Sequence, residues 1–132
     1  MIGNSILIDT NIVIELFRGN LEVRKTLNTC ELVYIPFAVL GELYLGAYKS
    51  TNSSKHLTQI SQFVKNCSIL NADQETAKEY GQLKSILIKK GKPIPENDLW
   101  IAAISKQYNL RLATFDKHFL ELPEIEIIKF WH

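Results

Sequence analysis

Five apolar runs rich in β-branched residues set the limits on what this chain can fold into: SILID (5–9), ELVYI (31–35), CSIL (67–70), LRLAT (110–114) and IEIIKF (125–130). Each has the length of a strand, and segments of helical period lie between them. Ile12 to Phe17 suits a short helix with Thr10 or Asn11 as its N-cap. FAVLGELYLGAYK (37–49) follows Pro36, a residue that favours a helix start. HLTQISQFV (56–64) places Leu57, Ile60, Phe63 and Val64 on one face. DQETAKEYGQLKSILIKKG (73–91) aligns Ala77, Tyr80, Leu83 and Leu87, and Gly91 stands where a C-cap is wanted. NDLWIAAISKQYN (97–109) turns Leu99, Ala102, Ala103 and Ile104 inward. Strands alternating with helices predict an α/β fold, a mainly parallel sheet of about five strands with helices on both faces. The Ser-rich TNSSK (51–55) reads as a turn between helices, and no linker, repeat or low-complexity stretch divides the chain. Residues 1–132 are therefore expected to form one domain, long enough to bury a layered core.

No apolar run approaches a membrane span, and the start of the chain has no basic segment leading into a long apolar one. A cytoplasmic protein without a membrane partner is expected. The net charge of +1 gives no overall field to attract a polyanion, so nucleic-acid binding would need a local basic cluster. Cys30 and Cys67 are too few and too far apart for a zinc knuckle or a redox pair. They read as two reduced, partly buried thiols. His56, His118 and His132 share no helical spacing, which argues against a histidine-based metal site.

Parallel sheets bind ligands beyond the carboxyl ends of their strands, where the strand order switches. Asp9 stands at the exit of the first strand, and Asp116 follows LRLATF in the same way. Glu42 lies about a turn and a half into the helix after ELVYIP. Asp98 opens the NDLWIAA helix after the turn-forming GKPIPEN. Each has an ordinary structural explanation. Asp9 suits an N-cap, Glu42 a solvated helix position, Asp98 a helix dipole, and Asp116 the cap of a short helical turn. Four such acids at one sheet edge call for a joint explanation. Gathered carboxylates repel, and a divalent cation removes the repulsion. Oxygen-only ligands suit Mg²⁺ or Mn²⁺ rather than zinc. The chemistry such a site serves best is hydrolysis of a phosphodiester, with one metal or two.

With these residues in place, the chain resembles the PIN-domain ribonucleases, and most closely the VapC-type toxins of toxin–antitoxin pairs. The resemblance spans almost the whole chain and rests on LIDTNIVIEL, AVLGELYLGA, GKPIPENDLWIAAIS and LATFDKHF, in the expected order. It implies a PIN-like three-layer fold and a metal-dependent endoribonuclease. Asp9, Glu42, Asp98 and Asp116 match the family's acidic cluster. Asp9 and Asp98 match its direct metal ligands. Asp116 is expected to bind a second metal or to act through water, and Glu42 to be a ligand or an outer-sphere partner. Asn11 and Thr114 match polar positions that orient the acids or hold a water, although helix capping and strand-end hydrogen bonding explain them equally well. The resemblance further implies Mg²⁺ with Mn²⁺ able to substitute, an RNA substrate, a homodimer, and a small VapB-like antitoxin whose tail enters the groove. Lys89, Lys90, Lys92 and Lys117 are candidates for phosphate contacts, although a lysine cluster near a helix end is more often a solvated feature favoured by the helix dipole.

Two phosphotransfer classes fail on single residues. A haloacid-dehalogenase-like phosphatase needs a second aspartate two positions after the first, and Asn11 stands there. A receiver domain needs a phospho-acceptor aspartate after a central strand, and neither ELVYIP nor CSILN supplies one. The remaining rival is a catalytically silent PIN-like module that binds RNA or protein. A pure binding role gains nothing from crowding negative charge, which favours the enzyme.

Overall fold

The computed structural model describes residues 4–131. Residues 1–3 and 132 of the expected domain, His132 among them, lie outside the described residues. The chain runs β1 (Ser5–Ile8), α1 (Thr10–Phe17), α2 (Leu21–Asn28), β2 (Leu32–Pro36), α3 (Phe37–Lys49), α4 (Ser53–Val64), β3 (Ser68–Leu70), α5 (Gln74–Lys90), α6 (Glu96–Tyr108), β4 (Arg111–Thr114), a 3₁₀ turn (Lys117–Glu121) and β5 (Ile127–Lys129). All five strands are parallel, in the order β3-β2-β1-β4-β5.

Side chains of consecutive strand residues point to opposite faces. All four residues of β1 are buried, so both faces of the sheet are covered at its centre. The edge strands β3 and β5 have only three residues each and no fully buried position. Short edges offer little backbone for unwanted pairing. The core joins Ile6, Leu7 and Ile8 to Leu112 and Ala113 of the neighbouring strand, Leu83 of α5, and Leu99, Ile101 and Ile104 of α6. Burying each of the larger side chains contributes roughly 1.5–3 kcal/mol relative to leaving it exposed.

Local chemistry fixes the helix ends. Gly91 closes α5 with φ +67°, as its position predicts, and Asn109 closes α6 at φ 52°. Of the three capping candidates at the start of α1, it is Asp9 that the structure uses, not Thr10 or Asn11. Asp9, in extended conformation, caps α1 by accepting the Thr10 amide, so Thr10 is already inside the helix. The turn expected at 51–55 is shorter, because Asn52 accepts the Lys55 amide and α4 begins at Ser53. Helix α2 is additional, capped by Asn20 through the Val23 amide.

Sheet order decides where a site can lie. From β1 the chain winds outward through β2 to β3, then returns to place β4 on the other side of β1. The switch in strand order falls between β1 and β4, and Asp9 and Thr114 are at the carboxyl ends of those two strands.

Candidate metal centre

Asp9 is 4% exposed, at the end of a strand that is itself buried. Its backbone amide donates to the Ala113 carbonyl at 3.1 Å, which continues the β1–β4 pairing past Ile8. One carboxylate oxygen accepts the Thr10 amide at 2.8 Å. The other accepts the Thr114 hydroxyl at 2.6 Å. That hydroxyl also accepts the Asp116 amide at 2.9 Å. A single buried threonine thus fixes the spacing of two acids from the two central strands.

Asp98 is the third residue of α6, half-buried in a first turn that has no side-chain cap at Pro95. Glu42, on α3, lies close enough to both Asp9 and Asp98 to disfavour their charged forms. Burial, reinforced by Asp98 and Glu42, pushes the Asp9 carboxyl up to about 6, against the opposing hydrogen bonds from Thr114 and Thr10. Asp98 is likewise raised above the ordinary carboxylate range. Burial is the main cause, and Asp116 and Glu42 add to it against the opposing His118 contact. Asp9, Glu42, Asp98 and Asp116 therefore converge as the sequence predicts. Among the described residues, no lysine or arginine forms an ion pair with any of them. Close oxygen donors without a lysine or arginine partner are the donor chemistry of a hard divalent cation.

Helical spacing argued against His118 as a site residue, yet the structure sets it against the acids. Asp116 caps the 3₁₀ turn by accepting the His118 amide at 3.0 Å, and Phe119 anchors that turn in the core. The turn carries the imidazole back over the acids. Its Nδ1 lies 3.1 Å from Asp116 Oδ1 and 3.3 Å from Asp98 Oδ2. Potential ligand atoms of Asp98, Asp116 and His118 lie within 4.8 Å of one another. Helical spacing could not reveal this, because Asp98 and His118 belong to different elements. The available signal was the two-residue offset from Asp116.

Asn11 is half-buried, and its side-chain oxygen is buried without a hydrogen-bond partner among the described residues. Lys92 and Lys117 are exposed. Lys90 is engaged elsewhere: its ammonium donates to the Glu121 carbonyl at 2.6 Å. A cavity of about 520 Å³ between α1, α3 and α4 borders Glu42 and is lined in part by Arg18, Lys55, His56 and Gln59. No sequence reading pointed to these four residues.

Residues 6–125 match the PIN domain family. The chain is 34% identical over 110 residues to ribonuclease VapC2 of Haemophilus influenzae, covering 82% of this chain and 83% of the relative. It is 29% identical over 125 residues to the tRNA(fMet)-specific endonuclease VapC of Salmonella typhimurium, covering 92% and 94%. The crystal structure of DNA-bound VapBC from Salmonella typhimurium is similar over 95% of this chain and 97% of that one, with a TM-score of 0.89 at 26% identity. The chain belongs to the PIN domain family and, within it, to the VapC-type ribonucleases. It is an endoribonuclease toxin of the toxin–antitoxin class.

Proposed function

We propose that Asp9, Asp98 and Asp116 hold a divalent cation, Mg²⁺ with Mn²⁺ able to substitute, and that Glu42 is a further ligand or an outer-sphere partner. The observation that carries this reading is the gathering of four carboxylates at the β1–β4 switch, none of them ion-paired to a lysine or arginine among the described residues. When bound, such a cation supplies Lewis acidity toward the attacking water and positive charge against the phosphodiester. The protein's own groups do the positioning. Hydrogen bonds to both oxygens of Asp9 hold its carboxylate still, and Thr114 sets the separation of Asp9 and Asp116. The unpartnered Asn11 oxygen is an acceptor suited to orienting a water beside Asp9. In the overall step, water adds to phosphorus and the bond to the leaving ribose oxygen breaks.

Lys92 and Lys117 approach the RNA backbone, helped by Arg18 and Lys55 of the cavity beside Glu42. Likeness to the VapBC structure supports a VapB-like antitoxin as partner, and the family resemblance supports a homodimer in the cytoplasm. None of the helices among the described residues is long and apolar enough to cross a membrane.

The test is made in bacteria. Wild type and Asp98→Asn are induced separately without antitoxin, and new RNA 5′ ends are mapped across the transcriptome. Discrete ends appearing only with wild type are expected. tRNA(fMet) is the first RNA to inspect, given the name of the Salmonella relative. Identical ends from Asp98→Asn would remove Asp98 from the machinery. No ends from folded wild type at equal levels would favour the binding-module reading.

A further inference from the structure

We propose that His118 is itself a metal ligand, bound through Nδ1, and that this nitrogen donor makes the site prefer Mn²⁺ to Mg²⁺. The proposal rests on the reading of the acids as a divalent-cation site and goes beyond it by changing the donor set, and with it the order of preference between the two ions. Adjacent ligands of an octahedral ion with bonds of 2.0–2.1 Å lie about 3 Å apart. The 3.1 and 3.3 Å separations of Nδ1 from Asp116 Oδ1 and Asp98 Oδ2 are of that size. Both neighbours of Nδ1 are acceptors, so that atom faces either a hydrogen of its own or a cation. The ring is also placed by more than its own contacts. Asp116 caps the turn through the His118 amide, and Phe119, next in sequence, is fully buried. Side-chain rotation alone is needed to adjust Nδ1.

The donor chemistry then sets the preference. Mg²⁺ takes oxygen ligands and gives up water reluctantly, whereas Mn²⁺, although it too suits oxygen ligands and binds more weakly than the later first-row ions, accepts one imidazole among them more readily than Mg²⁺ does. A site of carboxylates alone has no such bias from nitrogen. Replacing one oxygen position by imidazole favours Mn²⁺.

The full-length chain, stripped of metal by chelation, is titrated with Mn²⁺ and separately with Mg²⁺, and the Mn²⁺ form is studied by electron spin-echo spectroscopy. Wild type, His118→Ala, His118→Gln and the control His56→Ala are compared, each checked for folding by circular dichroism. The expected result is the nuclear modulation of a directly bound ¹⁴N in wild type and His56→Ala, absent from both His118 variants. Loss of the imidazole is expected to weaken Mn²⁺ binding about tenfold or more, with a smaller effect on Mg²⁺. Mn²⁺ bound by wild type without ¹⁴N modulation would overturn the assignment of His118 and leave the carboxylate site standing. Failure of wild type to bind Mn²⁺ at all would overturn both. The Gln variant retains a polar side chain at the turn without an imidazole, so it reports on ligation even if the alanine variant is misfolded.

Discussion

Asp9→Asn should stabilise the metal-free protein at neutral pH, although it removes a residue at the centre of the site. Burial and the neighbouring Asp98 and Glu42 raise the Asp9 carboxyl from 3.8 to about 6. Between those values the folded state binds more protons than the unfolded state, so stability falls as pH rises and levels off above about 6. The full penalty is about 3 kcal/mol. Asparagine is nearly isosteric and carries no charge. Its oxygen can still accept the Thr10 amide, but its amide group faces Thr114 Oγ1, which already accepts the Asp116 amide. The threonine hydrogen then loses its acceptor, at a cost of about 1 kcal/mol. The net expectation at pH 7.5 is a gain of about 2 kcal/mol. Near pH 4.5 the wild-type penalty has fallen to about 1 kcal/mol, and the two proteins should be equally stable. Urea unfolding in chelator measures this directly. With a slope of about 2 kcal/mol/M the midpoint should rise by about 1 M at pH 7.5 and hardly move at pH 4.5. A variant less stable than wild type by the same amount at both pH values would refute the reasoning, since no buried charge would then have been relieved.

Thr114→Val keeps the shape but strips the shared hydroxyl, leaving one Asp9 carboxylate oxygen and the Asp116 amide each without that partner. A loss of about 1–3 kcal/mol is expected, together with a further rise of the Asp9 carboxyl, followed by ¹³C NMR titration of the carboxylates. Ser105→Ala removes the buried hydrogen bond to the Leu110 carbonyl that holds the end of α6 to the start of β4. It should cost about 1 kcal/mol in chemical denaturation and leave RNA cleavage intact, because Ser105 is at the opposite end of α6 from Asp98. Saturating Mn²⁺ should raise the melting temperature of wild type, equivalent to about 2.7 kcal/mol at a hundredfold excess over Kd. The rise should be larger at pH 7.5 than at pH 5, where protons compete for Asp9, and equal rises would contradict its place as a ligand.

The strands were legible because a centrally placed parallel strand must be apolar on both faces, and SILI and RLAT carry that signature. Convergence of the acids was legible for a related reason. Strand exits in a parallel sheet share one edge, which brings Asp9 and Asp116 together before any side chain is placed. Helix α2 escaped notice because LEVRKTLN buries only Val23 completely, too little to impose a helical period. The cap of α1 was left open between neighbours because aspartate, threonine and asparagine in succession are all competent caps. Only the buried, extended backbone of Asp9 distinguishes it from the other two. His118 was legible only through its two-residue offset from Asp116, for a different reason. Its partners are set by the path of a 3₁₀ turn and by the entry of α6, neither of which leaves a periodic trace.

The Thr114–Asp9 hydrogen bond spans 105 positions of the chain. Closing a loop of that length costs about 4 kcal/mol of chain entropy beyond the constant for any closure. It becomes affordable only once β4 can pair beside β1 and bury its apolar residues. During synthesis, a ribosome-bound chain whose residues 111–116 are still hidden therefore has Asp9 without its clamp and no Asp116 beside it. The acids are therefore together only after β4 has paired beside β1. Any copy of the chain in which that pairing is open, whether newly made or partly unfolded, lacks the assembled acidic cluster.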